Sequence, residues 1–242
     1  MRYVGIALSL GLLSLSALAQ AAEPGQQQAE SVELTFQVPY LLHLPKSYGT
    51  DTEKKWPLIV FLHGSGEKGT DLNLVKLHGP PKIVEKDPEF PFVVVSPQCP
   101  VGQRWTPLLL SGMLDNVVAK YGVDQDRIYL TGLSMGGFGA WEWAAIQPHR
   151  FAALVPICGR GDPQTAKKIK HIPTWVFHGA KDMGAPVSDS EDMVRALEKL
   201  GGTPKYTLYP EAGHDAWTET YNNPELYKWL LEQKRPAAEA KK

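Results

Sequence analysis

The chain has 242 residues, of which 43% are hydrophobic and 21% are charged, and its formal net charge is -1 at pH 7. This length and apolar content are sufficient for one domain with a sizeable core. A nearly balanced charge without a basic tract argues against a nucleic-acid-binding protein.

The N-terminus has the features of a secretory signal peptide. Met1-Arg2 supplies a positive start, and an apolar stretch runs from Val4 to Leu18. Two small-x-small cleavage sites follow, Ala17-Leu18-Ala19 and Ala19-Gln20-Ala21. The stretch is short for a membrane span and no cysteine lies nearby to carry a lipid. We therefore predict a signal peptide over 1–21 and a secreted or periplasmic protein without a stable membrane anchor.

Two strands are predicted near the start of the mature chain. Residues 32–38 alternate between apolar and polar side chains, which indicates a half-buried strand. Residues 40–44 form a second candidate strand, which ends at Pro45. Together they predict an antiparallel edge before the main sheet. The predicted domain covers 29–235, and a polar tail covers 236–242.

The rest of the domain alternates between apolar runs and helix-compatible segments. Predicted strands cover 58–62, 92–95, 128–130, 153–157, 174–177 and 206–209. Predicted helices cover 108–121, 138–147, 188–200 and 224–234. Strands buried on both faces and separated by helices predict an α/β fold, a doubly wound, mostly parallel sheet with helices on both faces. The connection over 159–172 is too short for a large cap domain.

The residues around Ser134 have the pattern of a nucleophile elbow. The apolar run 128–130 leads into Gly132-Leu133-Ser134-Met135-Gly136, and a helix-compatible segment follows. A strand, a sharp turn with Gly-x-Ser-x-Gly and a helix together place a serine hydroxyl at the exposed edge of a sheet. A glycine-rich turn with an unreactive serine is the alternative, and the partners of Ser134 decide between the two.

A serine nucleophile needs a base, and the base needs an acid to orient it. His214 follows the last predicted strand, and Asp182 follows the strand before it, so the order along the chain is Ser, Asp, His. Asp162 is the second candidate for the acid. His63 and His178 each precede a glycine at a strand end, a position typical of a residue that supports a turn.

An oxyanion requires two aimed N–H donors. Met135, directly after the nucleophile, is the first candidate, and Ser65, in the glycine-rich loop after strand 58–62, is the second, with Gly66 as its alternative. Trp105 and Trp217 lie in loops near the predicted site and are candidates for substrate contact or for core packing.

The sequence does not decide whether its two cysteines, Cys99 and Cys158, form a disulfide. Export would permit the bond, but each cysteine follows a different predicted strand, and these strands need not be adjacent. No cluster of metal ligands is visible in the sequence, so no metal and no cofactor is predicted.

Six short motifs resemble those of the α/β-hydrolase superfamily. They are HGSGE at 63–67, SPQCP at 96–100, GLSMGG at 132–137, PICG at 156–159, HGAKD at 178–182 and GHD at 213–215. The resemblance is to phospholipase/carboxylesterase and dienelactone-hydrolase-like serine esterases, often labelled prolyl-oligopeptidase-like, and it covers 40–235. Dienelactone hydrolases proper use a cysteine nucleophile, whereas this chain has a serine.

The resemblance implies Ser134 as nucleophile, Asp182 as orienting acid and His214 as base, with oxyanion donors at Ser65 and Met135. It implies a serine carboxylesterase, and with the predicted export and the aromatic residues near the site we expect a small-molecule or polysaccharide-linked ester as substrate. A serine peptidase or amidase is the first alternative, and a non-catalytic binding protein on the same scaffold is the second. The sequence specifies neither the acyl and alcohol groups nor the oligomeric state.

Overall fold

The computed structural model describes residues 35–235. The predicted signal peptide (1–21) and polar tail (236–242) lie outside these residues, so export stays a prediction. Residues 35–38, the described part of the first predicted strand, are not in a strand, and this part of the prediction was wrong. Their apolar alternation does not correspond to a buried face, since Val38 packs on the core while Phe36 is 62% exposed.

Within residues 35–235, seven strands form one sheet in the order β1-β3-β2-β4-β5-β6-β7. Their bounds are β1 Tyr40–His43, β2 Trp56–Leu62, β3 Val93–Pro97, β4 Val123–Leu133, β5 Ala153–Ile157, β6 Trp175–Gly179 and β7 Lys205–Tyr209. Strand β1 is antiparallel to β3 at one edge, and all other pairs are parallel. The mostly parallel sheet is therefore confirmed, and of the two strands predicted for the antiparallel edge only the second forms it within the described residues.

Helices cover both faces of this sheet, as predicted. Their bounds are α1 Gly79–Val84, α2 Pro107–Lys120, α3 Met135–Ile146, α4 Ala166–Ile169, α5 Val187–Lys199, α6 Trp217–Asn222 and α7 Pro224–Glu232. One apolar cluster contains residues of α2, α3, α4 and α5, and the other contains residues of α6 and α7, with α1 packed against it. Successive strand residues alternate between the two clusters, as the two-residue period of a strand requires.

The strand register brings several loops to one edge of the sheet. Leu62 of β2 pairs with Gly132 of β4, and Gly179 of β6 pairs with Tyr209 of β7. The carboxyl ends of these parallel strands are therefore level, and the loops that follow them meet there. This edge carries every residue that the sequence predicts for catalysis.

The connection between β5 and β6 holds a short 3-10 turn, Pro163–Thr165, and the four-residue helix α4. This connection therefore contributes no cap domain over the edge that carries the site. Within 35–235, no helix combines the length and apolar character that crossing a membrane requires.

Candidate active site

Ser134 occupies a strained turn between β4 and α3. Its φ of 51° and ψ of -118° lie in a region that costs a non-glycine residue about 1–3 kcal/mol. Glycines make the turn possible, because a Cβ on Gly136 would lie 1.9 Å from the Leu62 carbonyl oxygen and one on Gly132 would lie 2.3 Å from that of Gly136. The backbone thus approaches so closely here that only glycine fits, and the serine side chain projects from the strand end.

Three side chains from separate loops form one hydrogen-bonded chain. His214 Nε2 lies 2.9 Å from Ser134 Oγ, and His214 Nδ1 lies 2.7 Å from Asp182 Oδ2. The loops that carry the acid and the histidine are themselves joined, since the Lys181 N–H donates to the Ala212 carbonyl at 2.9 Å. The structure therefore brings together the serine, histidine and aspartate that the sequence predicts.

The Asp182 carboxylate is fully buried and receives several hydrogen bonds. The N–H groups of Gly184 and Ala185 donate to Oδ1 at 2.7 and 2.9 Å, and His214 donates to Oδ2. Burial by itself raises the pKa of Asp182, but the hydrogen bonds from His214 and the two amides outweigh it and hold the pKa below its ordinary value. The group is therefore an anion at neutral pH, suited to orient an imidazole.

Asp162, the second candidate acid, serves another purpose. It caps the 3-10 turn Pro163–Thr165, and its Oδ1 accepts the Gln164 N–H at 2.9 Å. The structure thus places Asp182, rather than Asp162, against the histidine.

The two predicted oxyanion donors lie in the same cavity as Ser134. Ser65 and Met135 both line the cavity that contains the serine hydroxyl and the His214 ring. Among residues 35–235, neither backbone N–H donates to a protein acceptor. Met135 is also the first residue of α3, so its N–H carries the partial positive charge of a helix N-terminus.

The cavity beside Ser134 has a volume of about 330 Å³. Its walls include Lys68, Arg104, Trp105, Phe138, Glu142 and Gly184. Trp105 is 7% exposed, and its indole N–H donates to the His63 carbonyl at 3.1 Å, so this residue is both a cleft wall and a support for the loop after β2. Trp217 is not among the lining residues and packs edge-on against the His214 ring at 5.3 Å.

A buried polar network holds the loop that carries Ser65. Glu67 Oε2 accepts the Gly64 N–H at 2.8 Å, and the Gln98 side-chain amide donates to the Glu67 carbonyl at 3.1 Å. His63 Nε2 accepts the Cys99 N–H at 3.0 Å, so its other nitrogen, Nδ1, carries the proton and donates to the Gly64 carbonyl at 2.6 Å. Neither Glu67 nor Gln98 was predicted as a site residue, because their only signal in the sequence is their position within short motifs.

The buried neutral state of His63 predicts acid-sensitive stability. Burial is the main cause that lowers its pKa from 6.5 to about 4. The unfolded chain binds a proton at this residue below about pH 6.5, whereas the folded chain does so only near pH 4. Stability is therefore retained above pH 6.5 and falls by about 3 kcal/mol as the pH decreases to 4.

Urea unfolding of the wild type and of His63→Gln between pH 4 and 7.5 measures this contribution. The variant is expected to be less stable at pH 7 and to lose less further stability on acidification. His171→Gln, which removes an exposed histidine, is the control and should reproduce the wild-type slope. Equal slopes in the wild type and His63→Gln would show that His63 does not cause the acid sensitivity.

The two cysteines are free thiols. Cys99 belongs to one apolar cluster and Cys158 to the other, so the sheet separates them and the disulfide that the sequence left open is not formed.

Cys158 is fully buried and has a φ of 41°. Its sulfur lies within 4.8 Å of a carboxylate oxygen of Asp182 and a ring nitrogen of His214, and these are three atoms of the kinds that bind metal ions. Burial raises the pKa of this thiol to about 12, which keeps it protonated. A protonated thiol is a poor metal ligand, and the other two groups are hydrogen-bonded to each other.

Comparison with known proteins assigns this architecture to a family. A match to the model of the dienelactone hydrolase family extends over residues 110–241, more than half of the chain. The chain therefore belongs to the dienelactone hydrolase family, and its sheet and helices form an α/β-hydrolase fold, as predicted. The matched segment contains Ser134, Asp182 and His214 but not Ser65.

Three similar proteins illustrate the range of relatives. A thermostable esterase of known structure is 36% identical, with a TM-score of 0.72 over 82% of this chain and 60% of its own. A putative carboxymethylenebutenolidase of Salmonella typhimurium is 29% identical over 45% of this chain and 49% of its own. An acylaminoacyl peptidase of Pyrococcus horikoshii shares the fold at 17% identity, with a TM-score of 0.60 over 88% of this chain and 42% of its own. The chain thus spans less than two thirds of each.

Proposed function

We propose that the protein is a serine hydrolase that cleaves carboxylic esters through an acyl-enzyme intermediate. The observation that carries this proposal is the hydrogen-bonded chain from Ser134 through His214 to the buried Asp182, placed on a strained turn at the edge of the sheet. Three loops converge on one hydroxyl, and each supplies the group that the activation of a serine requires.

In the proposed mechanism, His214 acts first as a base and then as an acid. Its Nε2 accepts the Ser134 proton while the serine oxygen attacks the ester carbonyl. The N–H groups of Ser65 and Met135 stabilise the negative charge that develops on the carbonyl oxygen. His214 then protonates the departing alcohol, and a water molecule hydrolyses the acyl-enzyme by the same steps. Asp182 keeps the proton of His214 on Nδ1 and stabilises the transient imidazolium.

The cleft supports a small-molecule or polysaccharide-linked ester as substrate. The connection after β5 places no cap domain over Ser134, and Trp105 and Phe138 offer aromatic surface next to it. Lys68, Arg104 and Glu142 add charged groups to the same cavity, which disfavour a long acyl chain. We therefore expect a preference for short or aromatic acyl groups on an accessible alcohol.

A substrate panel tests this proposal. p-Nitrophenyl acetate and butyrate, a feruloyl ester and an acetylated sugar represent esters, and a chromogenic peptide p-nitroanilide represents amides. We expect kcat/KM for the best ester to exceed that for the amide by at least about 10³-fold. A peptide p-nitroanilide turned over as fast as the esters would instead identify a peptidase. Hydrolysis of none of them, together with no labelling by a fluorophosphonate, would favour a non-catalytic binding protein.

A further inference from the structure

A second histidine, His178, contacts the acid of the proposed triad. It is the fourth residue of β6, its side chain is fully buried, and its Nε2 lies 3.1 Å from Asp182 Oδ2. The same nitrogen lies 3.1 Å from the Ala185 carbonyl oxygen, and Nδ1 lies 2.7 Å from Ser190 Oγ in α5. All polar atoms of this ring therefore have partners within the protein.

The contacts of His178 specify which nitrogen carries the proton. Both neighbours of Nε2, the Asp182 carboxylate and the Ala185 carbonyl, can only accept a hydrogen bond. Nε2 must therefore be protonated. The Ser190 hydroxyl, which is also fully buried, can donate to the remaining nitrogen, Nδ1. Ser190 thus holds the His178 ring in the orientation in which the Nε2 N–H donates to the Ala185 carbonyl.

The N–H of His178 anchors the loop that carries the carboxylate, because it donates to the Ala185 carbonyl at 3.1 Å. The Gly184 and Ala185 amides of the same loop donate to Oδ1. Oδ2, the oxygen that accepts from His214, lies 3.1 Å from His178 Nε2. His178 lies on a buried strand of the sheet, so it ties the Asp182 loop to a rigid part of the fold.

We propose that His178 is a positioning residue that holds the Asp182 loop at Ala185, and with it the carboxylate, in place for the hydrogen bond to His214, with Ser190 holding the opposite side of the His178 ring. This inference rests on the proposed serine-hydrolase function. Small displacements of an orienting group reduce the rate of the chemical step far more than they reduce substrate binding. The expected effect of losing the His178 N–H is therefore on kcat rather than on KM.

Steady-state kinetics of three variants with p-nitrophenyl acetate test the proposal. His178→Leu removes the donor, and we expect kcat to fall about 10- to 100-fold while KM changes less than about twofold. His178→Gln retains an N–H donor for the Ala185 carbonyl, and we expect at least a third of the wild-type kcat. Ser190→Ala removes the hydroxyl that holds the His178 ring, and we expect kcat to fall about three- to tenfold.

Two control variants separate positioning from general destabilisation. Val176→Ala creates a cavity on the same strand away from the site, and Ser188→Ala removes an exposed hydroxyl on the same helix. Both should keep the wild-type kcat, even where Val176→Ala lowers the melting temperature as much as His178→Leu does. The inference is wrong if His178→Leu keeps the wild-type kcat, or if His178→Gln and Val176→Ala lose as much activity as His178→Leu.

These measurements distinguish a failure of the proposed serine-hydrolase function from a failure of the positioning role of His178. A wild-type protein that hydrolyses no ester would overturn both the function and the role of His178. Ester hydrolysis that requires Ser134 but not His178 would overturn the positioning role alone. If His178→Leu does not fold, the comparison of Ser190→Ala with Ser188→Ala decides, and equal kcat values for the two would contradict the inference.

Discussion

Replacing Ser134 by alanine is expected to lower kcat/KM for p-nitrophenyl acetate by at least about 10⁴-fold, because the variant has no nucleophile to form the acyl-enzyme. The remaining oxyanion donors at Ser65 and Met135 should leave a small residual rate above the uncatalysed reaction. The assay uses the wild type and Ser134→Ala at equal concentration and neutral pH, with p-nitrophenol release as the signal.

The stability of this variant serves as its control. Only one oxygen is removed from a half-exposed side chain, so the melting temperature should stay within a few degrees of the wild-type value. Folded Ser134→Ala protein with more than about one per cent of the wild-type activity would mean that another residue is the nucleophile.

Asp182→Asn is expected to lower kcat by about 10⁴-fold. Every hydrogen bond to this carboxylate comes from a donor: the Gly184 and Ala185 amides donate to Oδ1, and the His214 imidazole donates to Oδ2. An asparagine must direct its NH₂ group either at the two amides or at the imidazole, so one side loses its acceptor in either orientation. If the NH₂ group takes the position of Oδ2, it donates to His214 Nδ1, and the proton of His214 moves to Nε2. Nε2 then cannot accept the Ser134 proton.

Steady-state kinetics of Asp182→Asn beside Asp162→Asn measure the effect. Asp162 caps an exposed turn, and its replacement should leave kcat within about twofold of the wild type. A loss of activity in Asp162→Asn with little change in Asp182→Asn would reverse the assignment of the acid.

The sequence predicts the sheet and the three residues of the proposed triad because strong local signals coincide with simple topology. Each buried strand is a continuous apolar run, and parallel strands place their carboxyl ends at one edge. Ser134 and Asp182 follow such strands, and His214 follows the parallel edge strand β7, so their meeting needs no knowledge of side-chain packing. The bounds of β5 were predicted to the residue, and α2 and α5 were each placed within one residue.

Other features depend on contacts that local patterns do not report. Residues 35–38 alternate like a strand, but a strand also needs a neighbour for its backbone hydrogen bonds. His178 precedes a glycine at a strand end and was interpreted as a support for a turn, whereas its ring reaches the acid of the site and a serine of α5. Short helices such as α1 and α6 are too brief to show a helical period.

The buried network around Glu67 was missed for the same reason. A carboxylate that accepts the Gly64 N–H and lies behind the Ser65 loop has no periodic or spacing signature in the sequence. Its partner Gln98 is 31 residues further along the chain and follows a different strand. Only the fold brings the two together, and they then set the shape of the loop that carries a proposed oxyanion donor.

The central claim is that the hydroxyl of Ser134 is the activated nucleophile. Incubation with a fluorophosphonate, followed by intact-mass measurement and peptide mapping, tests this claim most directly. We predict a single adduct on Ser134, formed by the wild type and strongly slowed in His214→Ala. A protein that hydrolyses esters without acquiring this adduct, or that acquires it on another residue, would contradict the account.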